Sequence, residues 1–256
     1  MNVVKLKYPG SLVDRKALIK IYAETAKAHI KLFGKVCDQD AEKKLTQRWD
    51  NAAPKEKEDF ERFYLDNDLM PQELINWYQR SNYQRINRAI YAGGIAKSLG
   101  FRTFCEFGCG PGADLTALAC QGFTPLWACD INRQGLKIAS EIFKKFVNKP
   151  IKLFNNLFEK VEDQVPADFL YSSDTFEHIF DLESTLKPWI KNFKLVIVYA
   201  PFGSNKEQHQ HTSYPADRFH SFMKNNGFVR IVYNLGVPPF TYLRFDQFVK
   251  LLKQKR

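Results

Sequence analysis

One stretch decides the fold of this chain, and it reads Phe104-Cys105-Glu106-Phe107-Gly108-Cys109-Gly110-Pro111-Gly112-Ala113-Asp114. An apolar run ends in an acidic residue, passes through glycines at every second position and continues into a helical pattern, which predicts strand, tight turn and helix. Glycines permit a sharp bend and let a ligand lie against bare main chain. Because the N–H groups at about 113–115 begin a helix, they are available to a polar or anionic group, and the turn is predicted to bind a ligand.

Two ligand classes could use this turn. The dinucleotide pattern G-x-G-x-x-G/A is matched by Gly108, Gly110 and Ala113, with Asp130 further on to hold a ribose. The alternative resembles the acidic loop [D/E]-x-G-x-G-x-G of S-adenosylmethionine methyltransferases, which begins here at Glu106. A carboxylate beside the loop would repel a pyrophosphate but suits the ammonium and sulfonium of the methyl donor, so the second class is favoured.

Size and composition indicate an ordinary globular protein. The 256 residues suffice for one large domain or a domain with a cap, and the net charge of +10 permits nucleic acid as a partner without requiring it. The five cysteines show no C-x-x-C pair and indicate a reduced, cytoplasmic protein. The amino terminus lacks the apolar core of a signal peptide, and no run is long and apolar enough to predict a membrane span.

The first eighty or so residues are predicted to form an all-helical cap. Apolar positions recur at helical spacing between Asp14, a candidate N-cap, and Gly34, a candidate stop. Shorter helices follow near residues 40–49, 54–64 and 71–78, and a longer one near 83–99 leads to the first strand.

Beyond the glycine loop, strands and helices alternate, which predicts a parallel sheet with helices on both faces. Strands are expected near 126–129, 151–154, 168–171 and 195–199, and helices at 132–147, 182–192 and 215–225. Ligands in such sheets lie beyond the carboxyl ends of the strands. Those ends carry Glu106, Asp130, the pair Asn155 and Asn156, and the polar run at 171–178, so four polar strand ends are expected to meet in one crevice.

Residues 84–234 resemble the class I S-adenosylmethionine-dependent methyltransferases, especially the small-molecule type 11/12 group. The resemblance rests on E-F-G-C-G-P-G at 106–112, A-C-D-I at 128–131, N-N-L at 155–157 and S-S-D-T-F-E-H at 172–178. It implies cofactor contacts at a set of strand-end residues: Glu106, Gly108, Gly110, Asp130, Ile131, Asn156 and Ser173. Asn156 departs from the family, which usually has Asp there. Leu157, beside Asn156, and Tyr83, upstream of the loop, are further cofactor-binding candidates.

The resemblance also implies a Rossmann-like α/β fold, doubly wound, with a mostly parallel seven-stranded sheet and a C-terminal antiparallel hairpin. The strand at 228–233, the turn at 236–239 and the segment at 240–245 fit that hairpin, which a nicotinamide enzyme would not be expected to show. The predicted organisation is a helical cap or lid at 1–83 and a methyltransferase domain at 84–256.

Transfer to an acceptor O–H or ammonium needs a base near neutral pKa. His178 follows the fourth strand end, and His211 lies in the loop at 201–214 that should border the acceptor side, so either is a candidate base, with Asp174 as orienter. His29 and His220 lie in predicted helices and are interpreted as structural. His209 and His211 with a carboxylate would be an alternative metal site, but no metal is predicted.

The sequence therefore predicts an enzyme that methylates O or N of a small-molecule acceptor. RNA ribose or peptide methylation remains open because of the basic surface. Amino-methylation of nucleic acid is disfavoured, since Ser173-Asp174-Thr175-Phe176 stands where those enzymes carry Asp/Asn-Pro-Pro-Tyr/Phe. A non-catalytic protein that binds the cofactor and holds a partner is the alternative from another class.

Overall fold

The computed structural model describes residues 4–6, 14–65, 67–80, 85–155, 166–200, 202, 214–233 and 239–254. The strands are β1 (Val4–Leu6), β2 (Thr103–Phe107), β3 (Thr124–Asp130), β4 (Lys152–Asn155), β5 (Phe169–Ser173), β6 (Leu195–Tyr199), β7 (Phe228–Tyr233) and β8 (Phe240–Arg244). The helices are α1 (Arg15–Phe33), α2 (Ala41–Ala52), α3 (Lys57–Leu65), α4 (Leu69–Arg80), α5 (Ile86–Ser98), α6 (Ala113–Cys120), α7 (Arg133–Val147), α8 (Leu182–Leu186), α9 (Ala216–Asn225) and α10 (Phe245–Gln254).

Within the described residues, eight strands form one sheet in the order β1-β7-β8-β6-β5-β2-β3-β4. Neighbouring strands run parallel except around β8, which pairs antiparallel with both β6 and β7. The predicted doubly wound sheet and its C-terminal hairpin are thus confirmed. β1 adds an eighth strand at the edge, so the segment before residue 83 is not helical throughout.

Strand periodicity divides the core between the two faces of the sheet. Along β6, Leu195 and Ile197 join the hydrophobic cluster that contains α1, α5, α6 and α7, while Val196 and Val198 join the cluster under α8 and α9. Successive side chains of a strand point to opposite faces, which produces this alternation. By the same rule Glu106 of β2 shares the α1 face with Phe104, two residues earlier.

Helix α1 has the predicted ends. Asp14 accepts the N–H of Lys16 at 2.9 Å, and Gly34 ends the helix at φ +68°. Leu18, Ile21 and Tyr22 pack into the same hydrophobic cluster as the helices beside the sheet. A smaller cluster joins α2 to the start of α4, with Ala41, Leu45 and Leu69 at its centre. The described part of α1 therefore packs as one layer of the sheet domain, and α2 packs apart from it.

The helix predicted at 182–192 divides into α8 and a short 3₁₀ turn at Ile190–Asn192. Pro188 lies between them and offers no N–H with which to continue the helix. α10, which follows β8 directly, was not predicted.

Candidate active site

A cavity lies beyond the carboxyl ends of β2, β3 and β5. It encloses about 1030 Å³ of empty volume, including the space at its open mouth. The inner wall is the glycine loop at 108–111 with Asp130–Asn132 and Ser173–Thr175. The outer wall is α3 with residues 178–181, and Leu74, Tyr78 and Arg85 close the side between the two walls.

The glycine loop owes its composition to the protein as well as to a ligand. Gly108, Gly110 and Gly112 all have positive φ, at +74°, +49° and +76°. A Cβ on Gly108 would lie 2.0 Å from Oγ1 of Thr175, and a Cβ on Gly112 would lie 2.6 Å from the Cβ of Ala139. The sequence analysis attributed the glycines to a sharp bend and to ligand approach; the structure adds that Gly108 and Gly112 allow neighbouring elements to pack.

Asp130 is held rigidly at the end of β3. One carboxylate oxygen accepts the N–H of Gly110 and the other that of Asn132, each at 2.7 Å. Burial raises the pKa of Asp130, and the two backbone hydrogen bonds oppose that shift. Each carboxylate oxygen keeps a further lone pair for a ligand hydroxyl, and Ile131 lines the cavity beside it.

Asn132 joins this edge to the N-terminal helices. Its side chain caps α7 by accepting the N–H of Gly135 at 2.8 Å. Its amide donates to the carbonyls of Tyr64 at 2.9 Å and Asn67 at 2.8 Å, where α3 leads into α4. The outer wall of the cavity is therefore anchored to the residue that follows Asp130 and Ile131.

Charged groups accumulate behind the glycine loop. Glu106 is 1% exposed, and its Oε2 is buried without a hydrogen bond in the described part of the chain. Burial, reinforced by the charge of Asp114, raises the pKa of Glu106 far above its usual range. Arg85, which is 5% exposed, contacts Asp114 at 3.4 Å and Asp174 at 3.0 Å. The protonated form of Glu106 is thus favoured, and the group lies near an arginine that already has two carboxylate partners.

Asp174 occupies a strained position directly after β5. Its φ of +51° is unusual for a residue other than glycine, and it lines the cavity. Arg88 bonds both its carboxylate and the hydroxyl of Ser173, the latter at 3.0 Å. Arg85 donates to the carbonyl of Ser173 at 3.0 Å. Ser173 and Asp174 therefore both line the cavity, and the carboxylate of Asp174 is paired with two arginines.

His178 lines the same cavity as part of its outer wall. Its Nδ1 lies 3.1 Å from the hydroxyl of Tyr64 on α3, and its Nε2 lies 3.9 Å from a carboxylate oxygen of Glu177. Burial raises the pKa of Tyr64, which keeps the phenol neutral. Burial, followed by the charge of Asp174, also raises the pKa of Glu177. Of the two candidate bases, His178 is the one that the described residues include.

Several predicted site residues lie outside the described residues, namely Tyr83, Asn156, Leu157, His209 and His211. Among the residues that are described, no group of three or more His, Cys, Asp and Glu side chains could hold a metal ion. Nδ1 of His29 donates a hydrogen bond to the carbonyl of Lys35, 3.1 Å away, just past the end of α1. His220 contacts Tyr242 and Arg230, on the two strands of the hairpin.

The sequence analysis missed Tyr64, Asn132 and Asp114 as site residues. Asp114 carried a detectable signal, because it is the one charged residue in the apolar helix that follows the glycine loop. Tyr64 carried none, since its partner lies 114 residues away along the chain.

The comparisons with known proteins agree with this geometry. The sequence profile of the methyltransferase domain family matches residues 78–232, more than half of the chain. The comparison with curated proteins gave no significant match.

Solved structures of similar fold include methyltransferases from different sources. Magnesium protoporphyrin IX methyltransferase from Synechocystis PCC 6803, solved with bound S-adenosylhomocysteine, is 13% identical with a TM-score of 0.52, covering 78% of this chain and 94% of that one. An S-adenosylmethionine-dependent methyltransferase from Clostridium acetobutylicum is 14% identical with a TM-score of 0.51, covering 67% and 96%. EvdMO1 is 18% identical with a TM-score of 0.50, covering 63% of this chain, which spans only 41% of EvdMO1.

At such identities the structural likeness establishes the fold, while the profile match establishes the family. No helix among the described residues is both long and apolar enough to cross a membrane. The chain belongs to the methyltransferase domain family, and it shares the fold of solved S-adenosylmethionine-dependent methyltransferases.

Proposed function

We propose that this methyltransferase transfers a methyl group to an oxygen or nitrogen of a small-molecule acceptor. The observation that carries the proposal is the position of His178. His178, whose Nδ1 lies beside the hydroxyl of Tyr64, lines the same cavity as the glycine loop and Asp130, which supports a role as base next to the predicted cofactor residues.

The residues present fit the methyl donor. Asp130 retains lone pairs for the ribose hydroxyls, and Ile131 offers an apolar surface to the adenine. Gly112 is the N-cap of α6 and has no side chain to cap it, which leaves first-turn N–H groups for a ligand. When bound, S-adenosylmethionine supplies an electrophilic methyl group on a sulfonium.

His178 would remove the proton that the acceptor loses. In the tautomer with the proton on Nδ1, the oxygen of Tyr64 accepts that proton, and Nε2 carries the lone pair of a general base. Because Tyr64 is part of α3, this helix both orients the base and covers the cavity. Asp174 would act indirectly, because its carboxylate holds Arg85 and Arg88 beside Ser173.

The outer end of the cavity suits a small acceptor with an apolar body. Phe60 and Phe180 pack edge to face, with ring centroids 5.2 Å apart, and line it together with Ile179. Polar ends of an acceptor would meet Lys57, Glu61 or Asp181 at the same wall. An enclosed site aligns the acceptor with the methyl group and excludes water. We also propose that residues 1–83 act as the cap of this site, with α3 as the part that contacts the acceptor.

The experiment is transfer of a labelled methyl group. Purified protein is incubated with methyl-labelled S-adenosylmethionine and, separately, with the small-molecule, RNA and protein fractions of a cell extract. We expect label in the small-molecule fraction, and loss of that label with His178→Ala. Label confined to RNA or protein would contradict the proposal. Binding of the cofactor without labelling of any fraction would favour a non-catalytic protein.

A further inference from the structure

We infer that Tyr22, on the N-terminal helix α1, is a positioning residue for the cofactor site and acts through Asp114. The inference rests on the cofactor assignment and is independent of the acceptor. Its basis is the buried carboxylate of Asp114, in the first helical turn after the glycine loop. This carboxylate accepts hydrogen bonds from donors in three separate parts of the chain.

Asp114 is the second residue of α6, directly after Gly112 and Ala113, and is buried. One of its oxygens accepts the hydroxyl of Tyr22 from α1. The other accepts the hydroxyl of Tyr171 from β5 at 2.9 Å and Nε of Arg85 at 3.4 Å. Helix, strand and arginine are thereby tied to the first turn after the cofactor loop.

The hydroxyl groups are fixed as neutral donors. Burial, with the charge of Asp114 as the next cause, raises the pKa of both Tyr22 and Tyr171. A hydrogen bond from a neutral donor to a buried carboxylate is stronger than one between neutral groups. Loss of the Tyr22 hydroxyl would leave one oxygen of Asp114 without this hydrogen bond, and the carboxylate would then be free to rotate.

Arg85 links the Asp114 carboxylate to the cavity. It lines the cavity, and Asp114 holds one side of its guanidinium while Asp174 and the carbonyl of Ser173 hold the other. The rings of Trp77 and Tyr78 lie 5.4 Å from its central carbon. The carboxylate of the cofactor's methionine moiety could pair with the guanidinium of Arg85, which Asp114 holds in position. If Asp114 turns, Arg85 is pulled toward Asp174 and away from this position.

The ring of Tyr22 has a separate structural role. It packs edge to face on Tyr78, with centroids 5.1 Å apart, inside the large hydrophobic cluster. Tyr22→Phe keeps this ring and removes only the hydroxyl, so it separates positioning from packing. Thr25→Val is a matched control, because Thr25 carries a buried hydroxyl on the same helix, and this hydroxyl donates to the carbonyl of Tyr22 at 2.6 Å rather than to Asp114.

The test is calorimetric titration of the full chain with S-adenosylhomocysteine, at a temperature where circular dichroism shows each variant folded. We expect Tyr22→Phe to weaken binding at least fivefold, Asp114→Asn to weaken it at least as much, and Thr25→Val to leave it within twofold. The double variant Tyr22→Phe/Asp114→Asn should bind no more weakly than Asp114→Asn alone, because both changes interrupt one route.

Additive losses in the double variant, or wild-type affinity for Tyr22→Phe, would overturn the inference. If Asp114→Asn does not fold, Tyr171→Phe replaces it in the cycle, since Tyr171 donates to the same carboxylate. Sub-additive losses for Tyr22→Phe and Tyr171→Phe would then support a shared route. Wild-type binding in the same titrations reports separately on the cofactor assignment.

Discussion

In the proposed mechanism, the hydroxyl of Tyr64 orients His178. We expect Tyr64→Phe to lower the rate of methyl transfer about 10–100-fold, because the ring stays and the hydroxyl beside Nδ1 of His178 is removed. The affinity for S-adenosylhomocysteine should stay within about twofold, since the variant keeps Asp130 and the glycine loop. Turnover with the extract fraction that the labelling experiment identifies, and calorimetry, measure the two quantities.

Tyr214→Phe is the matched control for Tyr64→Phe. Tyr214 is buried and its hydroxyl donates to Glu183 at 2.8 Å, away from His178. Its turnover should remain near that of the wild type. Full turnover in Tyr64→Phe would remove Tyr64 from the mechanism.

Single residues were predictable where the chain itself brings them together. Asp130 and the glycine loop were found because a strand end and its turn are local in sequence. Tyr22 and Asp114 are 92 residues apart, and Tyr64 and His178 are 114 apart. From sequence alone, a tyrosine that holds a functional residue in place cannot be told from a tyrosine that only packs in the hydrophobic core.

The glycine loop as an element depends on its close contact with the turn after β5. Gly108→Ala should lower the free energy of unfolding by about 2 kcal/mol or more and abolish cofactor binding, because its Cβ would overlap Thr175 at a positive φ. Gly100→Ala has nearly the same φ, +75°, and nothing within 4 Å of its Cβ. It should cost only about 1 kcal/mol of backbone strain. Equal losses in urea unfolding would contradict this account.

Asp168 ties the start of β5 to the neighbouring strands. Burial acts to raise its pKa, but hydrogen bonds from Lys194 and from the N–H groups of Arg102 and Thr103 outweigh it and lower the pKa to about 2. A lowered pKa stabilises the fold above the unfolded value near 4, and that contribution is lost as the pH falls toward 2. Asp168→Asn should therefore cost about 1–2 kcal/mol at neutral pH.

The same variant should lose less stability than the wild type when the pH is lowered from 4 to 2. Urea unfolding at several pH values measures both effects. Identical pH slopes for the two proteins would show that Asp168 does not carry this part of the acid sensitivity.

Elements were predicted well where periodicity was long, as in α1 and α7, and poorly where a short segment depends on distant partners. β1 has three residues and exists by pairing with β7, more than 200 residues away. Such pairing leaves no local signal beyond a few apolar residues. The break between α8 and the 3₁₀ turn could have been predicted from Pro188, since proline ends helices. The apolar spacing on both sides of Pro188 instead favoured one continuous helix.

In the whole molecule, the described N-terminal helices α1, α2 and α3 pack in different places. α1 shares the main hydrophobic cluster, whereas α2 packs in a small separate one and α3 forms the outer wall of the cavity. If residues 1–83 cap the site, α3 should be the part that responds to the ligand. We expect amide hydrogen exchange in Lys57–Leu65 to slow at least severalfold with S-adenosylhomocysteine, while Leu195–Tyr199 in β6 stays unchanged. Unaltered exchange in α3 would contradict its role as a cap.

The most direct measurement of the central claim is calorimetric titration with S-adenosylhomocysteine, S-adenosylmethionine and NAD, on the wild type and on Asp130→Ala. The account predicts one site with micromolar affinity for the first two ligands and none for NAD. Asp130→Ala should weaken binding at least tenfold, because it removes the carboxylate that orders Gly110 and Asn132 at the cavity. Asp246→Ala, a change at an exposed carboxylate on α10, should bind like the wild type. Wild-type affinity in Asp130→Ala, or tighter binding of NAD than of S-adenosylhomocysteine, would contradict the proposed site.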